Sequence, residues 1–299
     1  MTTSTGCSPR WATERSGLPS RGARVAKVAR LLGVGLYDWQ RLVVDVALEH
    51  ENGIPRYRDV TLTVPRQQGK STLLLCVLVD AMLAGRIHAV YAAQNRLGGR
   101  SRLFDEWWPR IAGSPLRSRF QLRRATGAEG LLCTNGSRMT LLSSEISAAH
   151  GETLDLVLLD EVWAYADDRL EQACRPATIT RPGAQFWVTS TAGHGSSTFL
   201  RGKVDAGRLA ASTGLGGAYF EWSAADDADP TDAATWYGCM PQLGRTVQED
   251  VIRADLGSMR LSEFRRGYLN QWPDASFEGW RLITEEQWNA VETDESWMP

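Results

Sequence analysis

The short run Gly69-Lys70-Ser71 carries the chemistry that most constrains this chain of 299 residues. It lies within the segment Val64-Pro65-Arg66-Gln67-Gln68-Gly69-Lys70-Ser71-Thr72. A glycine there lets backbone N–H groups approach phosphate oxygens with no Cβ in the way. The Lys70 ammonium suits bridging β- and γ-phosphates as a point charge, and the Ser71 hydroxyl suits Mg²⁺. Pro65, Arg66, Gln67, Gln68, Gly69, Lys70, Ser71 and Thr72 are therefore the expected nucleotide-binding loop. The usual pattern has a glycine where Val64 stands.

Two further clusters lie downstream. Asp160-Glu161 ends the mostly apolar run Leu154 to Leu159. A carboxylate there can hold Mg²⁺ through water, and its neighbour can orient and deprotonate an attacking water. Thr189, Ser190 and Thr191 end a second apolar run, where small hydroxyls can contact a γ-phosphate or the lytic water. Each cluster also fits a plain structural role: a polar turn before a core helix, a solvated strand end, a strand-to-loop transition. For Asp160-Glu161 the loop upstream, in the order such sites require, favours the chemical role. For Thr189 to Thr191 the two readings stand level. Arg66 is either a cation acting in cis on transferred charge or a solvated loop arginine. Trp39 and Gln40 add a base-recognition possibility: the Gln40 amide offers a donor and an acceptor, and an aromatic neighbour can stack.

These residues need elements to position them. The apolar, β-branched run Val60 to Val64 reads as a strand and Leu73 to Leu83 as a buried helix. Further strands are expected at His88 to Ala93, Phe120 to Leu122, Gly130 to Thr134, Arg138 to Ser143, Leu154 to Asp160 and Gln185 to Thr191, with Asn135-Gly136 as a hairpin turn. Helices are expected at Gly22 to Leu32, after Asp38 as an N-cap, at Arg96 to Ile111, Asp168 to Ala177, Val247 to Leu256 and Leu261 to Leu269. Alternating strands and helices imply a parallel sheet with helices on both faces. Residues 1–21, rich in Ser, Thr, Gly and Pro, read as a flexible arm; 22–224 as the nucleotide-binding domain; 225–299 as a linker and helical appendage.

Composition excludes other classes. Hydrophobic residues are 43% and the formal net charge is -2, which argues against a free-standing basic nucleic-acid binder. The cysteines (Cys7, Cys76, Cys133, Cys174, Cys239) are scattered, with no zinc spacing, as expected of free thiols in a reducing cytoplasm. No apolar run reaches the roughly 20 residues of a membrane span.

Taken in order, these segments resemble the N-terminal packaging ATPase region of the large terminase subunit of tailed double-stranded-DNA phages. Leu36-Tyr37-Asp38-Trp39-Gln40 is similar to that family's adenine-recognition segment. Val64 to Ser71 resembles its deviant Walker A loop, which lacks the first glycine and carries this arginine. Tyr91-Ala92-Ala93-Gln94, Asn135 to Arg138 and Ala148-Ala149-His150-Gly151 lead into a Walker B run ending at Asp160-Glu161. Thr189 to Gly193 is similar to the coupling motif, and Phe264 to Trp272 to the helix before the family's nuclease domain.

The resemblance implies an α/β P-loop NTPase of the ASCE type: a mostly parallel sheet flanked by helices, with a small C-terminal helical and linker appendage. It implies ATP and Mg²⁺ as cofactors, Ser71 and Asp160 as metal residues, Glu161 as the water-activating base, Arg66 as a catalytic cation, and Thr189, Ser190 and Thr191 as coupling residues. It further implies a ring, usually a pentamer, that moves double-stranded DNA. Such a ring sits in the host cytoplasm, transiently at the portal protein of a procapsid, with a small terminase subunit as partner. A neighbouring subunit would supply an arginine in trans. Arg102 is the candidate, with Arg100 and Arg138 behind it. The acidic residues after Trp272 lack an apolar strand context, so nuclease activity is expected from a separate or downstream chain segment. The alternatives are a P-loop DNA helicase, which would need a second RecA-like domain, and a non-catalytic assembly module locked by nucleotide, which the Asp160-Glu161 pair argues against.

Overall fold

The buried strands are short apolar runs whose alternate residues face opposite ways, and that alternation builds two cores on one sheet. The structure is a computed structural model and describes residues 6–142, 153–165 and 167–272. Its first elements are β1 (Trp11–Ala12), α1 (Gly22–Leu31), α2 (Asp38–Ala47) and the small hairpin β2 (His50–Glu51) and β3 (Ile54–Pro55). Then come β4 (Asp59–Thr63), α3 (Lys70–Ala84), β5 (His88–Ala92), α4 (Arg96–Ser101), α5 (Trp108–Ala112), β6 (Phe120–Arg123), β7 (Gly130–Cys133), β8 (Arg138–Leu141) and β9 (Leu156–Asp160). The rest are α6 (Arg169–Cys174), β10 (Gln185–Ser190), α7 (Thr198–Thr213), β11 (Ala218–Glu221), α8 (Ala233–Cys239), α9 (Glu249–Ser258) and α10 (Leu261–Tyr268). A π-helical turn at Arg102–Trp107 joins α4 to α5, so the single helix expected there is one continuous but locally widened helix.

Nine strands form one sheet in the order β1-β11-β4-β10-β9-β5-β8-β7-β6. The six from β11 to β8 run parallel, while β1, β7 and β6 pair antiparallel. A strand, β10, lies between β4 and β9, the arrangement of ASCE-type P-loop NTPases. The expected fold class holds.

One face of the sheet carries Leu156, Leu158, Trp187, Ala89 and Tyr91 into the larger core with α1, α2 and α3. The intervening residues Val157, Leu159, Phe186, Val188 and Val90 point the other way, against Phe199, Leu200 and Val204 of α7. Helix α3 is apolar all round, with Leu73 to Val79 buried, as a helix sandwiched between the sheet and α1 must be. Helix α7 packs closely because Gly207 faces Tyr219; a Cβ there would fall 2.1 Å from the ring. A third, small core joins α8, α9 and α10 through Trp236, Met240, Leu243, Ile252, Phe264 and Leu269. Among the described residues no helix is long and apolar enough to cross a membrane.

Two expectations need correction. Residues 6–21 are not a free arm. Trp11–Ala12 pairs with β11, the Trp222 indole donates to the Cys7 carbonyl (3.0 Å), and the Ser16 hydroxyl donates to Glu49 (2.6 Å). The outer edge of β11 presents unpaired backbone groups, and β1 satisfies them. The start of α2 also shifts by one residue: Tyr37 is the cap, and Asp38 is the first helical residue. Residues 1–5, His150 and the acidic residues beyond Trp272 lie outside the described residues.

Candidate active site

Sheet register assembles the site. β10 pairs β4 on one side and β9 on the other, setting Thr189 beside Asp160 and Ser190 beside Thr63, the last residue before the loop. The loop and the two carboxylates thus meet at the carboxyl ends of parallel strands, where α/β sheets form their crevice. Val64 is fully buried, and its N–H donates to the Ser190 carbonyl (3.2 Å). At the position usually held by glycine, this chain simply extends the strand.

Gly69 adopts φ +96°, a left-handed conformation, immediately before α3. Its carbonyl accepts from the Gln40 side-chain amide (2.9 Å), and a Cβ at Gly69 would sit 3.0 Å from that nitrogen. The other end of the amide accepts from the Tyr37 N–H (3.0 Å). Gln40 thus clamps the loop to the start of α2. Gln67 also has a positive φ, 60°. Lys70 is 5% exposed, and its ammonium donates only at 3.3 and 3.4 Å to the Val64 and Pro65 carbonyls. The N–H groups of the first turn of α3 have no acceptor within the helix, so the loop offers a cradle of donors and a positive dipole end.

Asp160 is fully buried and saturated with donors. Thr189 Oγ1 (2.6 Å) and the Glu161 N–H (3.0 Å) donate to Oδ1; Ser71 Oγ (3.2 Å) and the Tyr91 hydroxyl (3.2 Å) donate to Oδ2. Burial, then the neighbouring Glu161 charge, pushes its carboxyl above the usual range, against the pull of Thr189, Lys70 and Arg102. A hydroxyl and a carboxylate oxygen this close are the hard oxygen donors Mg²⁺ takes, so Ser71 and Asp160 fit the implied metal.

Glu161 sits in a left-handed conformation (φ 54°), which turns its side chain away from the strand. One carboxylate oxygen lies 3.9 Å from the Lys70 ammonium; the other accepts from the Trp163 indole N–H (2.8 Å). Trp163 in turn donates its backbone N–H to Ser190 Oγ (3.1 Å) and accepts from Ser197 Oγ at its carbonyl (2.6 Å). The Arg66 and Arg266 guanidiniums lie 6.0 and 4.8 Å from its ring.

The appendage grips both the loop and the end of β10. The Arg66 N–H donates to the Gly267 carbonyl (2.9 Å), and the Gln242 N–H donates to the Gln68 side chain (2.8 Å). Asn270 accepts the Ala192 N–H (2.5 Å) and donates to the Trp222 carbonyl (2.9 Å). Arg266, 3% exposed, donates to the Ala192 carbonyl (3.4 Å). The Thr191 hydroxyl is buried with no partner among the described residues.

Gly69, Lys70, Ser71, Asp160, Glu161, Thr189 and Ser190 therefore lie together, and Gln40 joins them through the loop backbone. Arg66 points toward α10 and Trp163. Trp39 is corrected: it is 3% exposed and meets Trp222 edge-on at 5.4 Å, so its ring belongs to the core and not to a base-stacking surface. Neighbours in a helix do not share a face, so Gln40 and Trp39 diverge. The arginines considered for a trans role are all engaged within the chain. Arg100 pairs with Glu129 (2.8 Å), and Arg138 contacts the His88 ring (3.2 Å). Arg102 pairs with Glu106 (2.6 Å); burial opposes its charge, but Glu106, Tyr91 and Asp160 outweigh that and raise its pKa. Tyr91, Trp163, Gln242 and Asn270 are site residues that sequence reasoning missed. Tyr91 carries a sequence signal as a tyrosine inside a buried strand, and Asn270 as part of the Phe264 to Trp272 segment.

Solved structures share this fold. The HK97 bacteriophage large terminase superposes with a TM-score of 0.73 at 20% identity, covering 85% of this chain and 56% of its own. The Thermus phage P74-26 large terminase ATPase domain gives 0.55 at 16% identity, covering 82% and 97%. A large terminase from a thermophilic bacteriophage, in complex with ADP, gives 0.50 at 14% identity, covering 72% and 48%. This chain thus spans about half the length of the HK97 protein and of the ADP-bound one. No protein-family model matches it, and no curated protein does. The fold is that of phage large-terminase ATPase domains.

Proposed function

We propose that this chain is the ATP-hydrolysing motor subunit that drives double-stranded phage DNA into a procapsid. The observation that carries the reading is the convergence on Asp160: Ser71 from the loop helix, Thr189 from the coupling strand and Glu161 beside it, with Lys70 opposite. In this reading the Gly69 turn and the first turn of α3 bind the phosphates, and Lys70 draws charge from the γ-phosphate. Ser71 and Asp160 would hold Mg²⁺, which would supply neutralisation of developing phosphate charge. Glu161, oriented by Trp163, takes the proton from the attacking water. A neighbouring subunit supplies an arginine in trans; Arg102 is the candidate, with Arg100 and Arg138 behind it.

Loss of the γ-phosphate is felt at Thr189 and Ser190. It passes along β10 to Ala192, which Asn270 and Arg266 tie to the appendage. That route supports assigning the coupling role to Thr189, Ser190 and Thr191. The resemblance of the sequence motifs supports a working form that is a ring, usually a pentamer, at the portal protein in the host cytoplasm. A small terminase subunit and a separate or downstream nuclease act beside it. Phosphate release by purified protein, with and without duplex DNA, tests the reading. Release that rises with DNA and vanishes in Lys70→Ala supports a DNA-coupled ATPase; a Lys70→Ala rate equal to the parent overturns it.

A further inference from the structure

The far edge of the sheet has a face that no described helix covers. Strands β6, β7 and β8 form an antiparallel meander there. One face is closed: Phe120, Leu131, Cys133, Met139 and Leu141 enter the larger core beneath the helix ending at α5. Period-two alternation sends the intervening side chains to the other face. On the edge strand these are Gln121 and Arg123, with Arg119 in the turn just before it, all exposed. Leu132 of β7 pairs with Gln121 in register, and Thr140 of β8 stands on the same side.

The charge on this face is one-signed. The three strands contain no aspartate or glutamate. Glu129, the acidic residue at their start, is buried and already held by Arg96 and Arg100 at 2.8 Å each. Arg119 and Arg123 have no ion pair among the described residues. With Gln121 between them, successive donors stand roughly 6.6 Å apart along the extended edge. Arg124 and Arg117 belong to the other side, where they brace on Phe104 and Trp108 of the covering helix by cation–π contacts (5.2 and 4.9 Å).

We propose that the outer face of β6–β8, with Arg119, Gln121 and Arg123 as its row of donors, binds the phosphate backbone of duplex nucleic acid. Two arguments favour a phosphate backbone over a second protein surface. Stable protein interfaces have an apolar, aromatic-rich centre. The large exposed apolar residues of this chain lie elsewhere, at Leu42, Ile54, Leu97, Ile179, Leu209, Leu215, Tyr237, Val251 and Leu261. A row of guanidinium and amide donors also contacts phosphates without reading sequence, which suits a protein that moves along DNA. β6 runs in the same direction as β8, which is parallel to the central strands, and the register carries Arg123 through Gly130, Thr140 and Val90 to Val157, three residues before Asp160, so the row is set apart from the nucleotide loop.

The inference rests on the DNA-motor reading, and its test separates the two. Binding of a fluorescent duplex of mixed sequence to the whole chain is followed by anisotropy between about 50 and 200 mM salt, for the parent and the double variant Arg119→Ala/Arg123→Ala. Two lost phosphate contacts predict a salt slope shallower by about 1.8 and an affinity lower by at least about tenfold near 0.1 M salt. The double lysine variant should restore the slope, because lysine keeps the charge. ATPase activity measured without DNA and thermal stability should match the parent, showing that the face is not structural. A parent that binds duplex while the alanine variant keeps the same slope and affinity overturns the surface and leaves the motor reading standing. A parent with no duplex binding overturns both. Self-association lost in the alanine variant, with duplex binding intact, replaces the nucleic acid by a second copy of this chain.

Discussion

Replacing Trp163 by phenylalanine isolates the part of the site that sequence could not supply. The ring, its place beside Arg66 and Arg266 and both backbone hydrogen bonds are kept. Only the indole N–H that donates to Glu161 at 2.8 Å is lost. A hydrogen bond to a charged acceptor contributes about 1.5–3 kcal/mol. At about 1.36 kcal/mol per tenfold in rate, that range spans roughly 10- to 150-fold in kcat. The Glu161 side chain is 26% exposed, so water partly replaces the lost donor and the effect falls toward the lower end, about 10- to 30-fold. Nucleotide affinity should not move, because the proposed phosphate contacts are the loop and Lys70. The assay is steady-state phosphate release at saturating ATP, paired with displacement of a fluorescent nucleotide to measure Kd. A kcat within twofold of the parent, or a loss that appears wholly in Kd, refutes the idea that Trp163 aims Glu161.

Other consequences follow from the same geometry. Tyr91→Phe removes one donor from Asp160, about 1 kcal/mol, so half-saturation by Mg²⁺ in nucleotide binding should rise about fivefold; an unchanged Mg²⁺ titration counts against Tyr91 as a support of that carboxylate. Gly69→Ala forces a Cβ into a left-handed turn and against the Gln40 amide, so nucleotide binding should be lost while the melting temperature falls by only a few degrees, the counterpart of about 1–2 kcal/mol; tight binding by this variant contradicts the cradle. Glu221 supplies a pH test. Burial works against its charge, but Arg208 at 2.7 and 2.9 Å, Ser223 and Tyr219 outweigh burial and lower its pKa below the ordinary 4.5. As pH drops below 4.5, the unfolded chain takes up the proton first, so the stability this group contributes at neutral pH is lost as pH falls through its folded value. Thermal melts should therefore show a fall below that pH that is smaller in Glu221→Gln; equal slopes in the two proteins would rule the network out as its source.

The parts legible in the sequence are those whose signal is local. Val60 to Val64, Leu73 to Leu83 and Gln185 to Thr191 are apolar runs bounded by turn residues, and each forms the element expected. Gly69 and Asp160-Glu161 are recognisable because phosphate and metal chemistry restricts residue type at fixed places relative to a strand and a helix. What escapes is set by distant partners. β1 is a strand only because β11, far along the chain, offers an edge, so a Ser- and Pro-rich segment reads as a free arm. Helix α7 has its apolar residues at Phe199, Leu200 and Val204 but is diluted by alanine and by Gly207, which serves close packing on Tyr219. Trp163, Gln242 and Asn270 reach the site through tertiary contacts that no spacing rule encodes. Trp39 misleads because adjacency in sequence is not adjacency in space, and the helix turns its ring into the core.

The central claim is that Glu161 is the base that activates water while the loop and Asp160 bind the nucleotide. Glu161→Gln tests it most directly, because the amide keeps the side chain's shape and can still meet the Trp163 indole, yet it cannot accept a proton from water at neutral pH. Single-turnover hydrolysis of prebound ATP, measured beside nucleotide affinity, should show ATP held as tightly as by the parent and hydrolysed at least about a hundredfold more slowly. Hydrolysis near the parental rate with affinity intact would contradict the account and move the base elsewhere in the site.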